Sequence, residues 1–506
     1  MRLNILIGGK AGQGINKISE IVAKVMNSYG YFTFNYRDYP SLIRGGHNYN
    51  ILSISDKRVG SYESMLDGII AMDDNTVKLH KKILKKDGFV ITPKGFENLG
   101  RNLNVAQSGA LIKVFGLPKE LLINEIEEQF HNPDSNKAGE LGYNSQQNKY
   151  GLKRLPNVIT KMVGNVGIAK GAIDSGINLY IAYPMTPSTG VLHALAGEQE
   201  KHGFMVFQPE NEISVVNSAL GASFAGAKTM IGSSGGGYDL MTEGLSMQGM
   251  SEIPLVVYLS ARPGPGSGIP TYHIQGDLDI ALRGGHGEFP RIVVMPGDPI
   301  EAQEKTNECF YLSEKYGMLS IILGDKHVAE SEFSTSNTAK KPIKVKVKRD
   351  LPLIDGIVKA SSYEHDKDGN TTESAKWAKL NADNRTKKYD RAKEEISKKF
   401  EMIKIHGNPE SKNIIVGSGS TKGVILDAIE GLDYKFLQVL YAKPISNEIK
   451  QHLQSAAKVI LIEQNVTGQL GRLIREKTGI SIANRILKYD GLPFESDKLR
   501  ADIQQF

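Results

Sequence analysis

The sequence predicts an α/β protein built from parallel-sheet layers in several domains. Three observations predict it. Short apolar strands alternate with helical patterns along most of the chain, and such alternation packs helices against parallel sheets. Each strand ends in glycine, proline, serine or threonine, which break the strand and open a helix. The 506 residues suffice for roughly three domains of about 150 residues each. The breaks fall so as to give a first unit at 1–150, a central unit at 157–330, a charged linker with a helix at 331–405 and a third unit at 406–506.

In the first unit, the strand Leu3–Ile7 runs into Gly8-Gly9-Lys10-Ala11-Gly12-Gln13-Gly14. A helix follows, with Ile18, Ile21, Val22 and Val25 on one face. Strand, glycine loop and helix start expose free backbone N–H groups that favour an anion. Gly9, Gly12 and Gly14 are its candidate residues; the competing reading is a tight turn that only lets helix and strand pack closely. The spacing is not G-x-G-x-x-G, and no Gly-Lys-Ser/Thr follows, so neither an NAD nor a Walker fingerprint is present. Further on, Tyr39-Pro40-Ser41-Leu42-Ile43-Arg44-Gly45-Gly46-His47-Asn48 offers Arg44 as a fork for a carboxylate or phosphate, or else forms a surface turn. Residues 131–156 are polar and turn-rich and read as a linker.

The central unit carries the strongest pattern. A helix over Asn165–Ser175 precedes strands at Tyr180–Tyr183, Met205–Gln208, Thr229–Ser233 and Leu255–Ser260. These end respectively in Pro184-Met185-Thr186-Pro187-Ser188, Pro209-Glu210-Asn211-Glu212, Ser234-Gly235-Gly236-Gly237 and Arg262-Pro263-Gly264-Pro265-Gly266-Ser267-Gly268. In a parallel sheet such ends converge on one site. Glu212 and Arg262 project there, with the hydroxyls of Thr186 and Thr271 nearby. The helix after Glu212 presents Ile213, Val216, Leu220 and Phe224 on one face. On residues alone, Glu212 is equally a buried acid of the site or a helix cap. Strands at Arg291–Val294 and Tyr316–Leu323 complete the unit.

Lys340–Arg349 and Asp366–Lys399 are charged and poor in large apolar residues, as solvated connectors are. A helix there places Ala392, Ile396 and Phe400 on one side. In the third unit, strands at Ile414–Val416, Phe436–Leu440 and Val459–Ile462 alternate with glycine loops. The loop Glu463-Gln464-Asn465-Val466-Thr467-Gly468-Gln469-Leu470 is a packing turn or a further anion site.

Composition excludes several classes. The net charge of +6 is small and no basic patch is interleaved with aromatics, so nucleic acid is not an expected partner. No apolar run reaches the ~20 residues of a membrane helix, and no signal peptide is read at the start, so a cytoplasmic protein is expected. The single cysteine, Cys309, cannot build a disulfide or a cluster. His47, His273 and His286 lack metal-ligand spacing; His273, two residues after Thr271, either touches substrate or is held in hydrogen bonds. No metal site is expected in this chain.

The ordered set YPMTPS, PENEI, the glycines after the third strand and ARPGPGSGIPT resembles the α subunit of 2-oxoacid:ferredoxin oxidoreductases. GKAGQGI and YPSLIRGGHN resemble the γ domain often fused ahead of it, and EQNVTGQL resembles a transketolase-C-like domain. The resemblance implies a thiamine diphosphate site shared with a β subunit. Glu212, with Glu210 as the alternative, would match the glutamate beside the aminopyrimidine. Arg262, Thr186 and Thr271 would bind the 2-oxoacid, and Tyr183, Pro184, Ser234 and Gly235 the cofactor. CoA would be a co-substrate, with Gly9, Gly12, Gly14 and Arg44 as anion-binding candidates. No GDG and no CxxC occurs, so magnesium and a [4Fe–4S] cluster would belong to the β subunit. Ferredoxin would take the electrons, in an αβ or (αβ)2 assembly. Two loops depart from the family: GPSTG is here Gly264–Gly268 (GPGSG), and SGPG is here Ser234–Gly237 (SGGG). They favour a rival reading, a non-catalytic CoA- or nucleotide-binding scaffold with a vestigial thiamine site.

Overall fold

The computed structural model describes residues 1–40, 46–352 and 354–506. The chain divides into two compact units. The first comprises Met1–Met162, Ser331–Asn337 and Phe494–Gln505; the second comprises Val163–Glu330, Thr338–Pro493 and Phe506.

The first unit carries a seven-stranded sheet in the order Leu84–Ile91, Leu66–Ala71, Arg2–Gly9, Asn48–Ser55, Phe32–Asp38, Glu332–Thr335, Thr160–Val163. It is mixed: Arg2–Gly9 is parallel to Leu66–Ala71 but antiparallel to Asn48–Ser55. Residues 131–156 are not the linker their polarity suggests. Pro133–Asn144 is a helix, started by the Asn132 side chain accepting from Asp134 N and by proline in its first turn. It packs on the helix Leu103–Phe115 through small residues: a Cβ at Gly142 would run into the Ala106 carbonyl, and one at Gly109 into that of Gly139. The last helix, Ser496–Gln504, also belongs here; Asp497 Oδ1 accepts from Ser64 N at 2.9 Å, and Ser496 N donates to Tyr62 O at 3.0 Å.

The second unit holds two sheets. The larger runs in the order Tyr441–Lys443, Arg291–Val294, Leu319–Asp325, Leu255–Ala261, Thr229–Ser233, Leu179–Ile181, Met205–Phe207, parallel except at the first edge strand. Both faces are covered, which is why its inner strands read as unbroken apolar runs. On one face the helices Glu212–Phe224 and Gly235–Ser251 share a core with the second sheet through Val215, Leu245, Val257, Leu437 and Leu461. The other face is covered by Gly164–Asp174 and Pro299–Tyr316. The helix Ala375–Lys399 buries Ala392 and Ile396 against this side. The smaller sheet is ordered Ile403–Gly407, Lys435–Val439, Asn413–Ser418, Lys458–Glu463, Asn484–Leu487.

Ile213 corrects the expected helix face. It is 52% exposed, while Val215, Val216, Ala219 and Leu220 are buried. The helix starts at the sheet's rim, so its first apolar side chain overhangs the core.

Candidate active site

Strand connectivity locates the site. Leu179–Ile181 is followed by Met205–Phe207 on one side and Thr229–Ser233 on the other, so the chain reverses direction across the sheet at Leu179–Ile181. Beyond the carboxyl ends at such a switch point lies the crevice where α/β sheets take ligands. The loop carrying Thr186 and the loop carrying Ser234 and Gly235 flank it.

The first loop is fixed from behind. Tyr258 Oη donates to Asn165 Oδ1 at 3.1 Å, and Asn165 Nδ2 donates to the Pro187 carbonyl at 3.0 Å. Ser188 Oγ donates to Met185 O at 2.8 Å. Tyr183 and Pro184 stay exposed on its outer edge.

Glu212 opens its helix, but the cap is Asn211, whose side chain accepts from Ser214 N at 2.9 Å. Glu212 is therefore free of capping duty. It is 3% exposed, and its Oε1 is buried with no hydrogen-bond partner. Glu210, the alternative, is exposed and accepts from Ser214 Oγ. A Cβ at Gly237 would run into Ser233 Oγ and lie 2.5 Å from Glu212 Oε1, so glycine there admits the carboxylate to the start of the helix Gly235–Ser251. The hydroxyls of Ser233 and Ser234 are likewise buried without partners. Around Gly236 nothing lies within 4 Å of a Cβ. The SGGG loop thus leaves open space at its middle position, with acids on either side.

Arg262 Nη1 donates to the Thr186 carbonyl at 3.0 Å, which ties the fourth strand's loop to the first's. Burial draws the guanidinium pKa down, and the Asp277 and Glu212 carboxylates oppose the shift; both acids therefore lie in its field. Thr271 is buried, its Oγ1 partnerless, in the loop leading from Arg262 to Asp277.

Asp277, which sequence reading did not single out, lies against the start of the helix Gly235–Ser251. A Cβ at Gly235 would lie 2.5 Å from its Oδ2. It lines a cavity of about 30 Å³ together with Gln275, Asp325, Ser418 and Glu463, room for a water. Its position before the helix Leu278–Arg283 is the available signal, and that signal reads as an ordinary N-cap.

The histidines resolve differently. His273 is 1% exposed, with Nε2 2.5 Å from Gln464 Oε1 and 3.2 Å from Ser420 Oγ. Burial pushes its pKa down to about 3, and it serves as a neutral tie to the second sheet. His286 N donates to Ser246 Oγ. His47 Nε2 lies 2.8 Å from His80 Nε2. In the EQNVTGQL loop, Glu463 accepts from Leu470 N at 2.9 Å, Gly471 N at 3.1 Å and Asn465 Nδ2 at 2.8 Å. The chain's own carboxylate occupies that helix start, so the loop is a packing turn.

In the first unit, Gly14 caps the helix Ile15–Ser28 in the left-handed conformation at φ 85°. Gly12 has φ 90° with open space around it, and Gly9 is packed against Gln13 and Met72. Gln13 Oε1 accepts from Lys10 N at 2.6 Å, so the loop satisfies part of itself. Arg44 lies outside the described residues. Among the described residues no group of three or more His, Cys, Asp or Glu side chains is arranged to hold a metal, and no helix is long and apolar enough to cross a membrane.

Residues 170–401 match the family described as pyruvate flavodoxin/ferredoxin oxidoreductase, thiamine diP-binding, and residues 4–100 match pyruvate ferredoxin/flavodoxin oxidoreductase. The 2-oxoacid:ferredoxin oxidoreductase subunit alpha of Sulfolobus sp is 28% identical over 99% of this chain and 96% of its own length. The 2-oxoglutarate synthase subunit KorA of Methanocaldococcus jannaschii is 31% identical over 61% of this chain and 89% of its own. A solved 2-oxoglutarate:ferredoxin oxidoreductase from Magnetococcus marinus, with 2-oxoglutarate, coenzyme A and succinyl-CoA bound, superposes with TM-score 0.89 at 25% identity, over 100% of this chain and 99% of that one. With the switch-point crevice, the uncapped Glu212 and the Arg262–Thr186 tie already in place, these matches make the chain a member of the 2-oxoacid:ferredoxin oxidoreductase α-subunit family.

Proposed function

We propose that this chain, with a β subunit, catalyses the thiamine diphosphate-dependent oxidative decarboxylation of a 2-oxoacid to an acyl-CoA, passing electrons to ferredoxin. The observation that carries this reading is Glu212: a buried carboxylate, relieved of capping by Asn211, with a partnerless Oε1. A buried acceptor left unpaired costs stability, and a ring nitrogen of the aminopyrimidine is the partner that would satisfy it. When bound, thiamine diphosphate supplies the nucleophilic carbon and the electron sink.

The chain's own residues supply contact, orientation and proton handling. Glu212 holds a proton against the ring nitrogen and Gly237 lets it approach. Tyr183, Pro184, Ser234 and Gly235 would border the cofactor. Arg262, anchored through one nitrogen to Thr186 O, keeps its remaining donors for the substrate carboxylate, a charge-assisted grip. The hydroxyls of Thr186 and Thr271 complete the oxoacid contacts. In the first unit, Gly9, Gly12 and Gly14 are the backbone candidates for CoA, with Arg44, thirty residues further along the sequence, as the candidate cation. Magnesium and a [4Fe–4S] cluster are assigned to the β subunit. Tyr183 and Phe207, at the ends of neighbouring strands, and Ile213, in the first turn of the helix that follows, are 37%, 47% and 52% exposed. Apolar residues left bare at the rim of a site suit a surface that another chain covers.

Arg262→Ala is expected to raise KM for the oxoacid about 10- to 100-fold, the loss of one charge-assisted contact, with a smaller effect on kcat. Steady-state kinetics of the reconstituted complex read this directly, and unchanged KM and kcat would remove Arg262 from the site. The purified chain without its partner is expected to show no thiamine-dependent turnover; acceptor reduction by the chain alone would refute the shared site.

A further inference from the structure

We propose that Asp277 is a positioning residue of the oxoacid site, a second acid that answers Arg262 and whose ionisation sets how firmly the guanidinium grips an incoming carboxylate. The proposal rests on the oxoacid site put forward above.

The backbone on both sides of Asp277 is held rigidly. Gln275 N donates to Gln464 O at 2.7 Å, Gln275 Nε2 to Ser418 O at 2.8 Å, and Asn465 Nδ2 to Gln275 O at 3.1 Å. Gln469 Nε2 donates to Gly276 O at 2.7 Å. An aspartate preceding a helix would ordinarily cap it. Here Gln469 Oε1 accepts from Leu278 N at 3.0 Å and Asp279 N at 3.3 Å, and the Asp277 side chain makes no cap bond. A glutamine from the other layer does the capping and leaves the Asp277 carboxylate free.

That carboxylate turns to the site. Its Oδ2 is shielded from solvent and partnerless and packs on Gly235. The charged groups around it come from several elements. Asp239, on the helix Gly235–Ser251, and Arg262, just past the end of Leu255–Ala261, act on it through their charges. Glu212, on its own helix, acts on Arg262 through its charge. Asp325 and Glu463 stand on the other walls of the cavity. Asp325 accepts from Val328 N, and Glu463 is consumed by the helix start it caps. Arg262 is thus the cation that answers Asp277.

Burial and the Asp239 carboxylate push Asp277 up to about 7, against the pull of Arg262. Below that pH the acid is neutral and Arg262 faces the substrate unopposed. Above it, ionised Asp277 offsets the positive field of Arg262 and repels the substrate carboxylate. Oxoacid binding and Asp277 ionisation are therefore antagonistic, and by linkage each weakens the other.

The test is KM for a 2-oxoacid from pH 6 to 9 in the reconstituted complex, for wild type, Asp277→Asn and Asp239→Asn. Wild-type KM is expected to climb above the Asp277 pKa, approaching about tenfold per pH unit, the one-proton limit. In D277N the climb disappears, and KM at pH 9 falls below wild type. Asp239 is exposed, so D239N keeps the fold; removing that like charge moves the climb to lower pH. A wild-type slope retained in D277N, or an unshifted profile in D239N, overturns the inference while the oxoacid reading stands. Absence of oxoacid-dependent turnover in the wild type overturns both.

Discussion

Glu212→Gln in the reconstituted complex is expected to lower turnover by about 10²- to 10⁴-fold, the usual worth of a positioned proton-transfer group, while the melting curve stays close to wild type. Glutamine keeps the shape and the burial but cannot exchange a proton with a ring nitrogen. Fold is spared because the helix start depends on Asn211 and not on Glu212. Glu210→Gln serves as the control: that carboxylate is exposed and engaged by Ser214, so near-normal rates are expected. Oxoacid-dependent acceptor reduction measures both variants. Rates within a few-fold of wild type for E212Q, or a collapse for E210Q, would reassign the acid.

The largest stability effect is expected at Lys422. Its ammonium, 6% exposed by residue, bonds both Asp298 and Glu301 and so joins the helix Pro299–Tyr316 to the second sheet's layer. Glu301 is 2% exposed and also accepts from Gly297 N at 2.8 Å and Gln438 Nε2 at 2.7 Å. Burial opposes its ionisation, but Lys422, Lys404 and the hydrogen bonds overcome that and hold its pKa down to about 2. Lys422→Met strands this carboxylate. A cost of about 3 kcal/mol is expected, the low end for breaking a buried pair, because Lys404 remains 3.4 Å away. A depressed carboxylate stabilises the fold above its unfolded pKa, and that gain is lost as pH falls through the folded one. Wild-type stability should therefore decline from about pH 4.5 toward 2 through this group, and K422M should show much less of that decline. Urea titrations at pH 7 and 4 measure both effects; an unchanged midpoint would show the pair to be neutral.

The central sheet was legible because strands covered on both faces carry unbroken apolar runs, and because their ends are marked by proline and glycine. Thr186, Glu212, Ser234 and Arg262 follow from those ends alone. Ile213 was misread because periodicity says which residues share a face, not where the core stops beneath the first turn. The helix Pro133–Asn144 was missed because it packs through Gly139 and Gly142. Close backbone approach leaves no apolar stripe to count. Asp277 escaped for a different reason: an aspartate before Leu278 reads as a cap, and only the distant Gln469 shows the post already filled.

The three consecutive glycines at 235–237 have unequal tolerance for change. A methyl group at the first collides with Asp277 and at the third with Ser233 and Glu212, whereas at the second it meets nothing. Position 236 is where a side chain can be added without disturbing either carboxylate, so variation in this glycine run is tolerated at its centre and barred at both ends.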